Sequence, residues 1–412
     1  MKIAIATPVY YPMTNGVAMF SYNLATGLAT RGHEVLVLTP SQNKIRHMDN
    51  LNGVKVAYLK STDIKVYPDQ VHAVPRRKFI YKNGLKASIF PSRQVKRLLG
   101  AFRPDVVHVQ GSDPIGVAVV AYAKKNQIPV VTTEHNQPEV LTRSLSLGPL
   151  RGLVNMGLAA YFVKRQRKSD YVTMPTKLSI DKLLGGKDFV MPVEAVSNGV
   201  DLTSFKPGKA PEYLYDKYEI PSDVPVLLYV GRVDPEKNLG VVLRAFANFL
   251  YKCMGNDFDK LSRTLLLVVG DGVDRPRLLL EAEKMGILES VKFVGRVVGE
   301  DLAELYKVGD VFITASEIET QGIALIEAAA TGLPLIAVNA GAVAEICVNG
   351  ENGFLLEPGD ISGMSEAILK ILSDPALQKK MSGASLEIAK KHSLDTTLDK
   401  FLEIYSKVCY NR

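Results

Sequence analysis

Two carboxylates stand eight residues apart in the stretch SEIETQGIALIEAAATG, residues 316–332. Glu319 lies in a short polar turn after the apolar run VFITAS. After Gly322 the sequence predicts an Ala-rich helix over 323–330, with Glu327 one turn into it. A carboxylate accepts two hydrogen bonds from a vicinal diol, so Glu327 suits a ribose and Glu319 suits hydroxyls of a second sugar. The alternative for Glu327 is pairing with a neighbouring Lys or Arg, which would leave a charge in an otherwise apolar helix.

Two cations follow another strand-like run, PVLLYVGR. The run ends at Gly231, Arg232 comes directly after it, and Lys237 precedes a helix predicted from about Leu239. Because a guanidinium and an ammonium at the carboxyl end of a strand suit a diphosphate, this loop is a candidate phosphate site. The alternative is an exposed loop with two ordinary charges.

Two glycine-containing turns also follow predicted strands. Gly16 comes after Asn15 and just before the first predicted helix, whose free N–H groups and dipole favour an anion. Gly270 and Gly272 flank Asp271 after TLLLVV. Without side chains, these glycines would let the protein backbone approach a nucleotide or sugar closely. No Lys-Ser or Lys-Thr follows, so this is not a P-loop. An ordinary turn remains the alternative at Gly16.

Strand-like runs alternate with helical ones along the chain, which predicts the α/β class with parallel sheets. One series begins with KIAIATP and a second begins afresh with PVLLYVGR. Between them SNGVDLTSFKPGKAPEY is rich in Gly, Pro and Ser. We predict two Rossmann-like, doubly wound domains, 1–200 and 201–390, facing across a cleft that binds ligands. The last helix, 391–412, is predicted to pack back on the first domain.

The composition of the 412 residues is that of a globular protein. Three scattered cysteines, Cys253, Cys347 and Cys409, predict neither a disulfide framework nor a zinc site and favour a reducing compartment. The N-terminal run MKIAIATPVYYP is typical of a first strand rather than of a signal peptide. The longest apolar stretches are about half a membrane span.

The formal net charge of +7 is unevenly distributed. Residues 1–200 contain 27 Lys and Arg against 12 Asp and Glu, whereas residues 201–412 contain 23 against 31. This asymmetry fits either a solvated basic face or an anionic partner, of which a membrane surface is favoured over nucleic acid. Residues 161–171, YFVKRQRKSDY, are the most basic stretch. If they are helical, Tyr161, Phe162 and Arg165 share a side and the aromatics could enter a headgroup layer.

Taken in order, these motifs resemble those of the GT4-type retaining glycosyltransferases of the GT-B fold. Residues 319–327 resemble the family's E-x7-E motif, and VGRVDPEKNL resembles its Arg/Lys phosphate motif. NGV at Asn15 is similar to its N-terminal glycine loop, TTEH at 132–135 to its threonine-histidine loop, and SNGVDLTSFKP to its linker strand. FVGRV and residues 340–360 fit its C-terminal domain, so the resemblance covers nearly the whole chain.

The resemblance implies a role for each residue. Arg232 and Lys237 would hold the donor diphosphate and stabilise the leaving group. Glu327 would bind the ribose and Glu319 the transferred sugar, which His135 would face from the N-terminal domain. The remaining donor-binding residues would be Gly16, Gly231, Gly270, Gly272, Gln321 and Gly322.

No metal or other cofactor is expected, because the two cations would replace a metal at the diphosphate. The chain contains one Asp-x-Asp motif, Asp257 to Asp259, but it precedes a predicted strand instead of following one. We interpret it as surface.

The chain also departs from the common family pattern. ETQG replaces the frequent Ser-Phe or Gly-Phe after the first Glu and resembles the glycolipid-synthesising branch, such as diacylglycerol glucosyltransferases. Gln110 stands where many members have His, so we interpret His108 as a strand residue. The acceptor loop NQPEVL, residues 136–141, is unlike the common tyrosine-containing version.

These expectations describe a cytoplasmic, peripheral-membrane hexosyltransferase. It would transfer a hexose from a nucleotide-sugar, UDP-glucose by preference, to a hydroxyl of diacylglycerol or another lipid, with retention. The alternative is a soluble transferase acting on a sugar, sugar phosphate or polysaccharide. A GT-B epimerase, a pyridoxal-dependent phosphorylase and a lectin-like module are the other classes considered.

Overall fold

The computed structural model describes residues 1–13, 15–63, 86–135, 150–184, 191–255 and 257–410. The chain forms two compact units. Unit 1 comprises Met1–Ser197 together with Asp395–Arg412, and unit 2 comprises Asn198–Leu394. The Gly- and Pro-rich stretch between the two series of strands therefore lies almost wholly in unit 2.

Unit 1 is built on an eight-stranded sheet. Its strand order is β10-β9-β8-β7-β1-β2-β4-β3, parallel except that β3 pairs antiparallel with β4. A separate pair, β5 with β6, is antiparallel. The strands are β1 Lys2–Ala6, β2 Glu34–Pro40, β3 His47–Leu51, β4 Val54–Leu59, β5 Thr62–Asp63, β6 Lys86–Ala87, β7 Val106–Gln110, β8 Val130–Thr133, β9 Tyr171–Met174 and β10 Val193–Ala195.

Helices connect these strands in the order that a parallel sheet requires. Two of these helices begin at side-chain caps, since Asn15 accepts from Ala18 N at 2.9 Å and Asp113 accepts from Ile115 N and Gly116 N. The helices are α1 Gly16–Thr30, α2 Ser92–Phe102, α3 Pro114–Lys125, α4 Arg151–Gln166 and α5 Lys177–Leu184. The apolar runs recognised in the sequence are strands buried on both faces by these helices.

Unit 2 is built on a six-stranded, wholly parallel sheet. Its order β13-β12-β11-β14-β15-β16 reverses direction between β11 and β14, as in a doubly wound domain. The strands are β11 Val226–Val230, β12 Leu265–Val269, β13 Val291–Gly295, β14 Val311–Ile313, β15 Leu335–Val338 and β16 Gly353–Leu356. The helices are α6 Glu212–Lys217, α7 Leu239–Cys253, α8 Arg275–Lys284, α9 Glu300–Tyr306, α10 Ile323–Ala330, α11 Ile361–Ser373 and α12 Pro375–Lys390.

The core of unit 2 lies on both faces of its sheet. Along β11, Leu227 and Tyr229 belong to one buried cluster, whereas Val226 and Leu228 belong to the other. Successive side chains of a strand point to opposite faces, so a continuous apolar run fills both layers. The predicted α/β class with parallel sheets in two domains is confirmed.

The final helix, α13 Leu394–Tyr410, packs into unit 1 from Asp395 onward. Phe401 is fully buried and its ring lies 5.9 Å from that of Phe20. A Cβ on Gly27 would lie 2.5 Å from Leu398 Cδ1, so α1 approaches this helix closely. Arg31 binds Asp395 and Asp399 at the same contact.

We expect Phe401→Ala to lower the free energy of unfolding by about 3–5 kcal/mol, because it leaves a cavity between α13 and α1. Urea unfolding followed by circular dichroism measures it. Phe90→Ala is the matched control in the same unit, since that ring is 88% exposed and its loss should be nearly neutral. Equal effects for the two variants would contradict the packing of α13 described above.

Candidate functional site

The reversal point of the unit 2 sheet brings two predicted site residues together. The loops after β11 and β14 meet, and Lys237 Nζ lies 2.6 Å from Glu319 Oε1 although the two are 82 residues apart. The same ammonium lies 3.3 Å from Ser316 Oγ. Their side chains are only 16% and 21% exposed, so this ion pair is shielded from water. Beside it Asn238 donates to Glu317 at 2.8 Å, which fastens the two loops a second time.

Arg232 begins the loop after β11, and two carboxylates of the same loop hold it. Its guanidinium donates to Asp234 and to Glu236, and its carbonyl accepts from Tyr229 at 2.8 Å. The Arg232 side chain remains 59% exposed. Sequence reasoning assigned no role to Asp234 or Glu236, although acids two and four residues after an arginine in a turn can reach it.

The glycines after β11 and β12 have a packing role. A Cβ on Gly270 would lie 1.8 Å from the carbonyl oxygen of Gly231, and one on Gly272 would lie 2.1 Å from that of Val233. Val233 N donates to the carbonyl of Asp271 at 3.0 Å. These backbones therefore touch each other, and the predicted contact of Gly231, Gly270 and Gly272 with a donor stays a prediction.

Glu327 lies on α10, which begins after Gly322 at a φ of 84°. Its carboxylate accepts a hydrogen bond from the buried Tyr306 hydroxyl at 2.6 Å. Burial raises the pKa of Glu327 to about 7, against the opposing effect of the Tyr306 hydrogen bond. No Lys or Arg of the described residues pairs with it, so the Lys or Arg pairing considered from the sequence does not occur there.

Two further residues fix the turn that contains Glu319. Gln321 is 2% exposed and its Oε1 accepts from the backbone N–H of Asn198 at 3.0 Å. Ala342 N donates to the carbonyl of Glu319 at 3.2 Å, and a Cβ on Gly341 would lie 2.8 Å from that oxygen. The contact of Gln321 to the linker, and the support from Gly341, were not foreseen from the sequence.

In unit 1, His135 follows β8 and lies in an aromatic environment. Its Nε2–H donates to Gln110 Oε1 at 2.8 Å, since a carbonyl oxygen only accepts. The ring meets Phe20 edge-on at 5.0 Å, one turn beyond the exposed Gly16 at the start of α1. Burial lowers the pKa of His135 to about 4, so the ring is neutral at pH 7.

His108 lies within β7 and has a structural partner on each ring nitrogen. Its Nδ1 is 2.6 Å from the Tyr405 hydroxyl and its Nε2 is 2.7 Å from Thr133 Oγ1. Burial, and secondarily His135, lower the pKa of His108 to about 3. It therefore joins β7 and β8 to α13, as expected of a strand residue.

Three further expectations from the sequence concern the Asp-x-Asp motif, membrane-spanning helices and the acceptor loop. Asp257 and Asp259 are exposed, and in the described part of the chain no group of three or more His, Cys, Asp and Glu could hold a metal ion. None of the helices within the described ranges has both the length and the apolar composition that a membrane crossing needs. The acceptor loop, residues 136–141, lies outside the described residues.

The basic stretch is helical as far as Gln166, but one prediction about it is wrong. Phe162 is 5% exposed and packs against Met174 and Leu183, because it points about 100° around the helix from its neighbour Tyr161. Tyr161 is 43% exposed and Arg165 lies over its ring at 5.3 Å. The large exposed apolar side chains here are instead Leu150, Leu153 and Met156.

Two family models match this chain, one in each half. Residues 14–204 match Glycosyltransferase Family 4, and residues 212–387 match Glycosyl transferases group 1. Alpha-monoglucosyldiacylglycerol synthase of Acholeplasma laidlawii is 27% identical, over 99% of this chain and 96% of its own length. The synthase of the same name from Streptococcus pneumoniae strain ATCC BAA-255 / R6 is 28% identical, over 82% and 71%. The crystal structure of Anabaena Alr3699/HepE in complex with UDP-glucose superposes with a TM-score of 0.70, 17% identity and coverage of 99% and 100%.

We expect Gln110→Glu to raise the pKa of His135 well above about 4, because a carboxylate next to Nε2–H favours the imidazolium. Titration of the histidine ring protons by NMR measures this. Gln110→Leu is the control and should leave the ring neutral at pH 5, since it adds no charge. A His135 titration that is identical in both variants would contradict the contact.

Proposed function

We propose that this chain, which belongs to the group 1 and family 4 glycosyltransferases, moves a hexose from a nucleotide-sugar to a lipid hydroxyl. UDP-glucose is the preferred donor, diacylglycerol or another lipid carrier is the acceptor, and transfer proceeds with retention. The observation that carries this proposal is the contact of Lys237 with Glu319 at the sheet reversal, on the loop that also bears Arg232. This contact joins Lys237, a cation suited to a diphosphate, to Glu319, a carboxylate suited to sugar hydroxyls.

The chemistry follows from where charge develops. As the sugar leaves its nucleoside diphosphate, negative charge grows on the phosphate oxygens, and Arg232 and Lys237 stabilise it. Glu319 holds the Lys237 ammonium in place and accepts from hydroxyls of the transferred sugar. Glu327 binds the ribose, and a carboxyl with a pKa of about 7 can both accept from and donate to a diol.

His135 acts in this proposal as a neutral hydrogen-bonding group. Because its Nε2–H is committed to Gln110, the unprotonated Nδ1 remains as an acceptor for a sugar hydroxyl. With a pKa of about 4 it would not supply a proton at neutral pH. No metal is expected to be needed, since the two cations serve the diphosphate.

The donor and the acceptor are proposed from the relatives. Both synthases named above glucosylate diacylglycerol according to their names, and one of them aligns with nearly the whole chain. The similar Anabaena structure contains UDP-glucose. A soluble transferase acting on a sugar, sugar phosphate or polysaccharide is the alternative.

A face of α4 is suited to the surface of an anionic membrane. Leu153 and Met156 are 62% and 65% exposed, and Lys164 follows on the same side. Arg167 and Lys168 are exposed just after the helix. Exposed apolar side chains near exposed Lys and Arg suit the interface of an anionic membrane, where apolar groups enter the headgroup layer and cations meet anionic lipid. We therefore propose that the enzyme works as a peripheral protein at the cytoplasmic face of the membrane.

Release of nucleoside diphosphate from a panel of UDP- and GDP-sugars, with and without diacylglycerol vesicles, tests the proposal. We expect release to depend on lipid, to produce a glycolipid and to persist in excess EDTA. Release with soluble sugars and none with lipid would favour the alternative. Complete loss in EDTA that manganese or magnesium restores would contradict the metal-free mechanism.

We expect Arg232→Ala to reduce kcat by about 10²–10³, equivalent to about 3–4 kcal/mol, because it removes one donor to the developing charge. Arg232→Lys should recover only part of the rate, since lysine cannot make a planar two-point contact. Steady-state kinetics measures both. Arg263→Ala is a control, because that exposed arginine pairs with Asp223 at the amino ends of β11 and β12, whereas Arg232 follows the carboxyl end of β11. Retention of most of the kcat in Arg232→Ala would contradict the role.

Vesicle sedimentation tests the membrane surface. We expect binding to rise with anionic lipid and fall in high salt, because each cation near the surface contributes about 1 kcal/mol. Replacing Lys164, Arg165, Arg167 and Lys168 by Gln should weaken binding, and so should Leu153→Ser with Met156→Ser. The control removes the same charge from α12 and its end, at Lys379, Lys380, Lys390 and Lys391. If both charge variants bind alike, α4 is not the docking surface.

A further inference from the structure

Every cation that the proposed function assigns to the diphosphate is already bound to a carboxylate. Lys237 is paired with Glu319, and the two ends of the Arg232 guanidinium are occupied separately, Nη1 by Asp234 and Nη2 by Glu236. A diphosphate that approaches Arg232 therefore competes with two anions of the same loop. Both terminal nitrogens that would bind a phosphate in a bidentate manner already bind carboxylates.

The two carboxylates on Arg232 differ in how firmly they are held. The Asp234 side chain is 7% exposed, and its Oδ1 also accepts from Val273 N at 3.2 Å. Because Gly272 approaches the same oxygen so closely that a Cβ would lie 2.6 Å away, Asp234 has no room to swing out. It is a fixed part of the contact between the β11 and β12 loops.

Glu236 is held far less. It lies on the short 3₁₀ turn Pro235–Lys237, and its side chain is 33% exposed. Among the described residues Arg232 is the one partner that its carboxylate binds. A glutamate with a single, solvent-accessible partner can leave at little cost, since exposed ion pairs contribute little.

We propose that Glu236 is the exchangeable anion of this site and speeds the release of product. Its carboxylate binds Arg232 before the donor arrives, and the donor diphosphate then displaces it. Once the sugar has been transferred, Glu236 competes with the nucleoside diphosphate for Arg232 again. Asp234 stays in place throughout and orients the guanidinium. The inference rests on the proposed function and assigns a residue that limits product affinity.

The charges near the diphosphate favour this exchange. Two cationic side chains, Arg232 and Lys237, stand here beside three acidic ones, Asp234, Glu236 and Glu319. The diphosphate adds further negative charge, so the carboxylate with the weakest hold is repelled first. After transfer, the same repulsion acts on the departing nucleoside diphosphate.

Glu236→Gln keeps the size of the side chain and removes its charge. We expect it to bind both UDP and inorganic pyrophosphate about three- to fivefold more tightly than the parent, and to be inhibited by UDP at correspondingly lower concentrations. Isothermal titration calorimetry measures the two affinities. Asp223→Asn is the matched control, since it removes one carboxylate from an arginine pair at the amino ends of the same strands and should change neither.

Each outcome has one meaning. Tighter binding in Glu236→Gln alone supports the inference, because lost packing or a lost structural contact would weaken binding. Unchanged or weaker binding in Glu236→Gln, with a parent that binds pyrophosphate, overturns the inference and leaves the proposed function standing. A parent that binds neither UDP nor pyrophosphate overturns both.

Discussion

The candidate site of unit 2 depends on one ion pair, between Lys237 and Glu319. It joins the loops that follow the two strands between which the sheet reverses, where connections diverge to opposite faces and leave room for a ligand. Shielding from water strengthens the attraction and also makes an unpaired partner costly. The pair therefore fastens the two loops to each other at the sheet reversal.

Burial shifts the pKa values of His135 and Glu327 in opposite directions, because one is a base and the other an acid. It favours the neutral form of each group, so the pKa of His135 falls to about 4 and that of Glu327 rises to about 7. His135 is consequently uncharged over the whole physiological range, whereas Glu327 changes its charge within it. In the proposed function, ribose binding at Glu327 is therefore linked to a proton, whereas the hydrogen bond assigned to His135 is not.

The placement of several candidate residues was predictable, because they lie next to chain features that the sequence shows directly. Arg232 follows a strand, and Glu319 and Glu327 flank the start of a helix, so the strand order alone places them at one edge of a sheet. Side-chain partners from elsewhere were not predictable. Neither Tyr306 beside Glu327 nor Tyr405 beside His108, 297 residues away, leaves any local signal.

The prediction that Phe162 shares a side of the helix with Tyr161 was wrong for a different reason. Helical residues one position apart point about 100° from each other, so neighbours in sequence do not lie on one face.

The environment of His135 shows how unit 1 determines the properties of a single ring. The α13 helix supplies Tyr405 to His108, and His108 binds Thr133 on β8, two residues before His135. Phe20 touches both Phe401 of α13 and the His135 ring. The α13 helix thus packs against residues that surround His135, and the burial of this ring lowers its pKa. Because the side chain that orients the ring is a neutral glutamine, nothing in its hydrogen bond offsets that desolvation, and the ring stays an acceptor rather than becoming an acid.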